Sequence, residues 1–130
     1  MVKLIRGYGG VATYRSFFWY KRIYVGRKFD LLPPDQQRAV IAHELAHIEC
    51  AHHIIRLIVL PLALLFPPFR RVMCKGQEFE ADSIAVQNGH GKALRDYLRG
   101  IKFDDSGKYH PSNLARIEKI EHNKLFELFP

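Results

Sequence analysis

Residues 42–47 read Ala42-His43-Glu44-Leu45-Ala46-His47, an HExxH pattern inside an apolar, Ala-rich run. An α-helix turns about 100° per residue, so positions four apart fall within about 40° of one another on one face. His43 and His47 would project together, close enough for their imidazoles to share one metal ion. Glu44, about 100° round from His43, would stand beside that ion, where a general base for a metal-bound water belongs. A borderline cation such as Zn²⁺ suits imidazole, and a catalytic zinc site takes three protein ligands and keeps one position open. Two are in hand, and a third is needed. HExxH is short enough to arise by chance, and a histidine pair on a half-buried face can be ordinary packing. The setting favours the metal. Leu32-Pro33-Pro34-Asp35 carries the proline and the acid suited to a first helical turn, and no residue from there to about Arg56 is an evident helix breaker.

The search for the third ligand leads to Gln77–Val86, which reads as a second helix ending near Asn88-Gly89. Glu78 and Asp82 share one face there, with Ala81 and Ala85 alongside to allow close approach to the first helix. Glu80 lies about 200° from Glu78 and cannot face the same ion. An acidic helix face is usually just solvated, but beside HExxH, Glu78 is the best candidate for the third ligand. Asp82 then suits the outer shell, accepting the free ring N–H of a ligand histidine. His53 is a rival, six residues after His47 as in the metzincin spacing. That pattern needs a glycine where this chain has Cys50, and on a continuing helix His53 would face about 240° away. His52, His90 and His122 read as surface or packing histidines.

The 130 residues, 48% hydrophobic, suit one folded domain spanning the chain. Cys50 and Cys74 make no disulfide framework, which points to a reducing compartment. The first twenty residues lack the apolar core of a secretory signal, so the expected location is cytoplasmic, with membrane association in view. The net charge is +7. Lys3, Arg6, Arg15, Lys21, Arg22, Arg27 and Lys28 face only Asp30 and Asp35 in the first 35 residues. Such a surface suits nucleic acid, anionic lipid or acidic peptide, or is simply solvated. No nucleic-acid-binding signature accompanies it.

Tyr14, Phe17, Phe18, Trp19, Tyr20, Ile23, Tyr24 and Val25 are strand formers, with Gly7, Gly9, Gly10 and Gly26 as turn or bulge positions. Two or three short strands are expected, the aromatics building the core, and an edge strand near the helix could pair with an extended peptide. Leu57–Phe66 is an uncharged apolar stretch, too short to cross a bilayer and interrupted by Pro61 and Pro67-Pro68. Peripheral membrane contact between Arg56 and Arg70-Arg71, a partner interface and burial all suit it. A short helix is expected around 92–98 and a longer one over 112–129, capped by Ser112, with Leu114, Ile117, Leu125 and Leu128 as its apolar stripe.

Three separated motifs, His43-Glu44-Leu45-Ala46-His47, Glu78-Phe79-Glu80-Ala81-Asp82, and His110-Pro111 followed by Arg116-Ile117, resemble the gluzincin zinc metalloproteases of the HtpX and CAAX-prenyl-protease type. The likeness runs over about residues 23–120. It implies an α+β fold: a compact zincin-like core with a small N-terminal antiparallel sheet on the HExxH helix, then a Glu-ligand helix and C-terminal helices. His43, His47 and Glu78 would hold Zn²⁺, Glu44 would be the base and Asp82 would orient His43. His110 and Arg116 would line the cleft, His110 to stabilise an oxyanion or to visit the metal's open position. Members often carry membrane segments after the active-site helix, where this chain has only a stub.

The expected function is a zinc-dependent endopeptidase acting on protein or peptide through a metal-activated water. The alternatives are an ImmA-like phage or mobile-element regulatory protease, which would leave the His110-Pro111 to Arg116 segment unexplained, and a non-catalytic zinc-stabilised adaptor, which would leave Glu44 without a purpose.

Overall fold

The computed structural model describes residues 1–101, 107, 109–124 and 126. Three strands open the chain: β1 (Lys3–Tyr8), β2 (Ala12–Phe17) and β3 (Tyr20–Gly26), in the order β1-β3-β2. β2 and β3 form the expected antiparallel hairpin, with Phe17 opposite Tyr20, but β1 runs parallel to β3. The sheet is therefore mixed and not antiparallel throughout. The reason lies in the link from β1 to β2, which crosses the end of β3. Gly26 N–H donates to Val11 O at 3.0 Å, and a Cβ on Gly26 would run into the carbonyl oxygens of Gly10 and Tyr8. Gly26 is needed for space, since its φ of −113° suits any residue.

Among the described residues seven helices follow: α1 (Arg27–Asp30), α2 (Pro34–Glu49), α3 (His52–Ile58), α4 (Leu60–Leu65), α5 (Pro67–Gln87), α6 (Gly91–Gly100) and α7 (Asn113–Glu121). α2 starts as its sequence indicates, with Pro34 in the first turn and Asp35 beside the positive end of the dipole. It does not continue to Arg56. Cys50 caps it, and Ala51 turns left-handed at φ 54° before α3 begins.

α2 is the central element. One side meets the sheet through Ile23, Val25, Phe29, Val40 and Ile48. The other joins α5, α6 and α7 around Ala39, Ala85, Val86, Leu94, Leu98 and Ile120. Each of the larger side chains contributes about 1.5–3 kcal/mol by leaving water. The small Ala39, Ala81 and Ala85, all fully buried, let α5 approach α2 closely, which is what brings their polar side chains together.

Two apolar stretches stay outside this core. Phe17, Phe18 and Trp19, at the tip of the β2–β3 hairpin, are exposed, Trp19 by 88%. The expectation that all the N-terminal aromatics build the core therefore fails at the tip, where these side chains face solvent. Of Leu57–Phe66 only Ala63 is buried, while Ile58, Leu64, Leu65 and Phe66 are largely exposed. Burial does not explain that stretch. Among the described residues no helix is long and apolar enough to cross a membrane.

The tail keeps its expected cap, with Ala115 N–H donating to Ser112 Oγ at 3.1 Å. α7 nevertheless stops at Glu121, short of the expected 129, and Leu114 is 75% exposed instead of belonging to an apolar stripe. Leu125, Leu128 and Phe129 lie outside the described residues.

Candidate metal centre

His43 and His47 stand one turn apart on α2, and their Nε2 atoms approach to 3.2 Å. Glu78 reaches across from α5, Oε2 lying 3.2 Å from His43 Nε2 and Oε1 3.3 Å from His47 Nε2. All three side chains are buried. A zinc ion bonded to nitrogen and oxygen at about 2.0–2.1 Å in a tetrahedron separates its ligand atoms by about 3.3–3.4 Å. The spacing between the three donors matches such an edge, and two imidazoles with one carboxylate are a donor set that zinc accepts. The group could hold a metal ion.

Each of the two histidines is backed on its far side. His43 Nδ1 lies 2.8 Å from Asp82 Oδ1, close but out of line for a good hydrogen bond. Asp82 in turn accepts from Arg116, Nε at 2.8 Å and Nη2 at 2.7 Å. His47 Nδ1 meets His52 Nδ1 at 2.8 Å, and His52 Nε2 meets Glu80 Oε2 at 2.9 Å. The Tyr14 ring stacks flat on His47, centroids 4.7 Å apart and planes 5° from parallel.

These neighbours set the protonation states of the cation-free centre. Burial pushes the His43 imidazolium down, but Asp82 and then Glu78 more than offset it and raise the pKa to about 10. Burial dominates at His47 and lowers it to about 4. Burial would raise Glu78 and Asp82. Glu78 is instead held well below the carboxylate range by the two histidines, and Asp82 is lowered by Arg116 and His43. Glu44 is pushed up to about 7, mainly by burial, with His43 opposing. Desolvation likewise moves Tyr14 to about 12.

A cavity of about 450 Å³ opens on the cluster, bordered by Thr13, Tyr14, Glu44, Tyr97, His110 and Arg116. His110 is 61% exposed and its Nδ1 sits 3.9 Å from Glu78 Oε1. A second groove of about 440 Å³ shares Thr13, Tyr14, Arg56 and His110, and continues towards Leu57, Leu60 and Met73. The outer strand β2 forms a wall common to both.

Residues 17–68 match Peptidase family M48. The match supports an M48 gluzincin-type metalloprotease catalytic domain, without singling out the HtpX or the CAAX-prenyl-protease type. It spans β3, both histidines and Glu44, and ends before Glu78, whose place beside the two histidines rests on geometry alone. No match is found among curated proteins.

The residues singled out in the sequence, His43, Glu44, His47, Glu78, His110 and Arg116, all border one cavity. His53 does not join them. Its Nδ1 accepts from Ser16 N–H at 3.5 Å and its ring meets Tyr14 edge-on. His52, read as a surface or packing residue, is fully buried against His47. Its position depends on the reversal at Ala51, which no glycine, proline or asparagine announces. Tyr14 was legible only as a strand former.

Proposed function

We propose that the chain is a zinc-dependent endopeptidase with Glu44 as its general base. What carries this reading is a three-donor cluster, His43, His47 and Glu78, with a carboxylic acid beside it at the wall of an open cavity. Zinc held there would supply Lewis acidity towards a carbonyl and towards water at neutral pH. Glu44, raised to about 7 by burial, has a proton affinity suited to taking a proton from water and passing it to the leaving amine. His110, exposed and within the cavity, donates to the carbonyl oxygen as charge develops on it. Asp82 and Arg116 hold the His43 ring. β2, at the edge of the sheet, offers backbone groups to an extended peptide, which makes a polypeptide the favoured substrate class.

Peripheral membrane contact belongs to the same proposal. Ile58, Leu64, Leu65 and Phe66 are exposed, Arg56, Arg70 and Arg71 flank them, and residues 50–77 contain no acid.

Glu44→Gln tests the mechanism. The variant should bind one zinc and keep its fold while peptide cleavage falls by about 10²–10⁴-fold. Undiminished cleavage by that variant would remove Glu44 from the chemistry.

A further inference from the structure

We infer that His52 and Glu80 form a positioning relay for the ligand His47, and so set how tightly the centre holds its cation. The inference rests on the zinc reading above. A cation on His47 Nε2 leaves the ring's only proton on Nδ1. That N–H points at His52 Nδ1, 2.8 Å away, which must accept it. His52 then carries its own proton on Nε2 and donates it to Glu80 Oε2 at 2.9 Å. Every proton in the chain His47–His52–Glu80 has one place to go. A carboxylate at the end polarises both rings and raises the basicity of His47 towards the ion. His43 has the parallel arrangement through Asp82 and Arg116, so each of the two ligand rings is backed by an acid.

The backbone supports the same conclusion. Ala51 sits in the left-handed region at φ 54° and ψ 33°, a conformation that costs a non-glycine residue about 1 kcal/mol. That reversal ends α2 and folds the next residue back, leaving His52 only 1% exposed with both ring nitrogens partnered.

The same neighbourhood offers a second metal-like cluster, since atoms of Cys50, His52 and Glu80 lie within 4.8 Å of one another. Proton accounting disfavours it. A cation on His52 Nε2 would move that ring's proton to Nδ1, where it would face the Nδ1–H of a metal-bound His47 at 2.8 Å. Two donors cannot share that contact, so a loaded first centre closes the second.

Zinc competition titrations on the full chain test the relay. His52→Leu, which keeps the volume and removes the acceptor, should weaken zinc about 10- to 100-fold, and His52→Gln should recover most of the loss. Glu80 is more than half exposed, so Glu80→Ala should cost less, about three- to tenfold, and Glu80→Gln less still. In the zinc-bound protein the His47 Nδ1–H proton resonance should be protected from exchange. It should move upfield in Glu80→Ala, a response that a purely structural role would not produce. If His52→Leu does not fold, the Glu80 pair decides alone. Wild-type affinity and an unmoved resonance in Glu80→Ala overturn the relay. A wild-type protein that binds no zinc removes the metal reading itself.

Discussion

Arg116 grips Asp82 with two parallel hydrogen bonds, Nε to Oδ2 at 2.8 Å and Nη2 to Oδ1 at 2.7 Å, the latter oxygen being the one that also faces His43 Nδ1. The carboxylate is 3% exposed and the guanidinium 15%, so truncating the arginine removes both of these charge-assisted bonds from a buried acid and leaves it to His43. Arg116→Ala should lower the unfolding free energy of the metal-free protein by about 3 kcal/mol. Arg116→Lys should fall in between, since it keeps the charge and loses the fork. Urea unfolding reads both, and an unchanged midpoint for Arg116→Ala would show that the pair contributes nothing to stability.

Zinc uptake should release a proton. At pH 8, His43, raised to about 10, carries its proton, whereas His47, at about 4, and Glu44, at about 7, do not. Binding must expel the His43 proton, so affinity should climb about tenfold per pH unit from pH 8 towards 10. Calorimetry in buffers of different ionisation enthalpy should count about one proton, and a count of zero contradicts the protonation assigned to His43. Without zinc the sign reverses. The raised His43 pKa contributes stability that is fully present below about 6.5 and lost as pH rises through about 10.

Two glycines should respond oppositely to alanine. Gly26→Ala drives a methyl into the backbone oxygens of Gly10 and Tyr8 and should cost about 3 kcal/mol or more. Gly76→Ala, inside α5 with open space around it, should gain about 0.5–1 kcal/mol. Thermal unfolding separates them. A neutral Gly26→Ala would refute the close crossing of the β1–β2 link over the end of β3.

The exposed α3–α4 segment should bind vesicles that contain anionic lipid. Co-sedimentation should fall when Leu64, Leu65 and Phe66 are replaced by serine, and should weaken with added salt as the flanking arginines are screened. A parent chain that never sediments with such vesicles dismisses the membrane face.

The centre was legible where helical periodicity governs it. The spacing of His43 and His47, and of Glu78 and Asp82, depends only on residues per turn, and Ala81 and Ala85 announced the close helix pair. Conformation that tertiary contacts impose was not legible. Nothing in Ile48-Glu49-Cys50-Ala51 marks the reversal that buries His52, because an alanine held left-handed looks like any helical alanine. Strand direction was equally hidden. The space required at Gly26 depends on which neighbour passes over it, and local composition says nothing of that. The exposed Phe17, Phe18 and Trp19 are the converse case, apolar residues whose pattern predicts burial and whose place at a hairpin tip prevents it.

Glu78, Glu80 and Asp82 all ride on α5, whose opening turns carry the exposed Phe69 and Val72. A rigid displacement of that helix along its axis would carry the carboxylate between the two histidines and the acids behind them as one body. The spacing of the His43, His47 and Glu78 donors therefore depends on how the outer end of the same helix is seated.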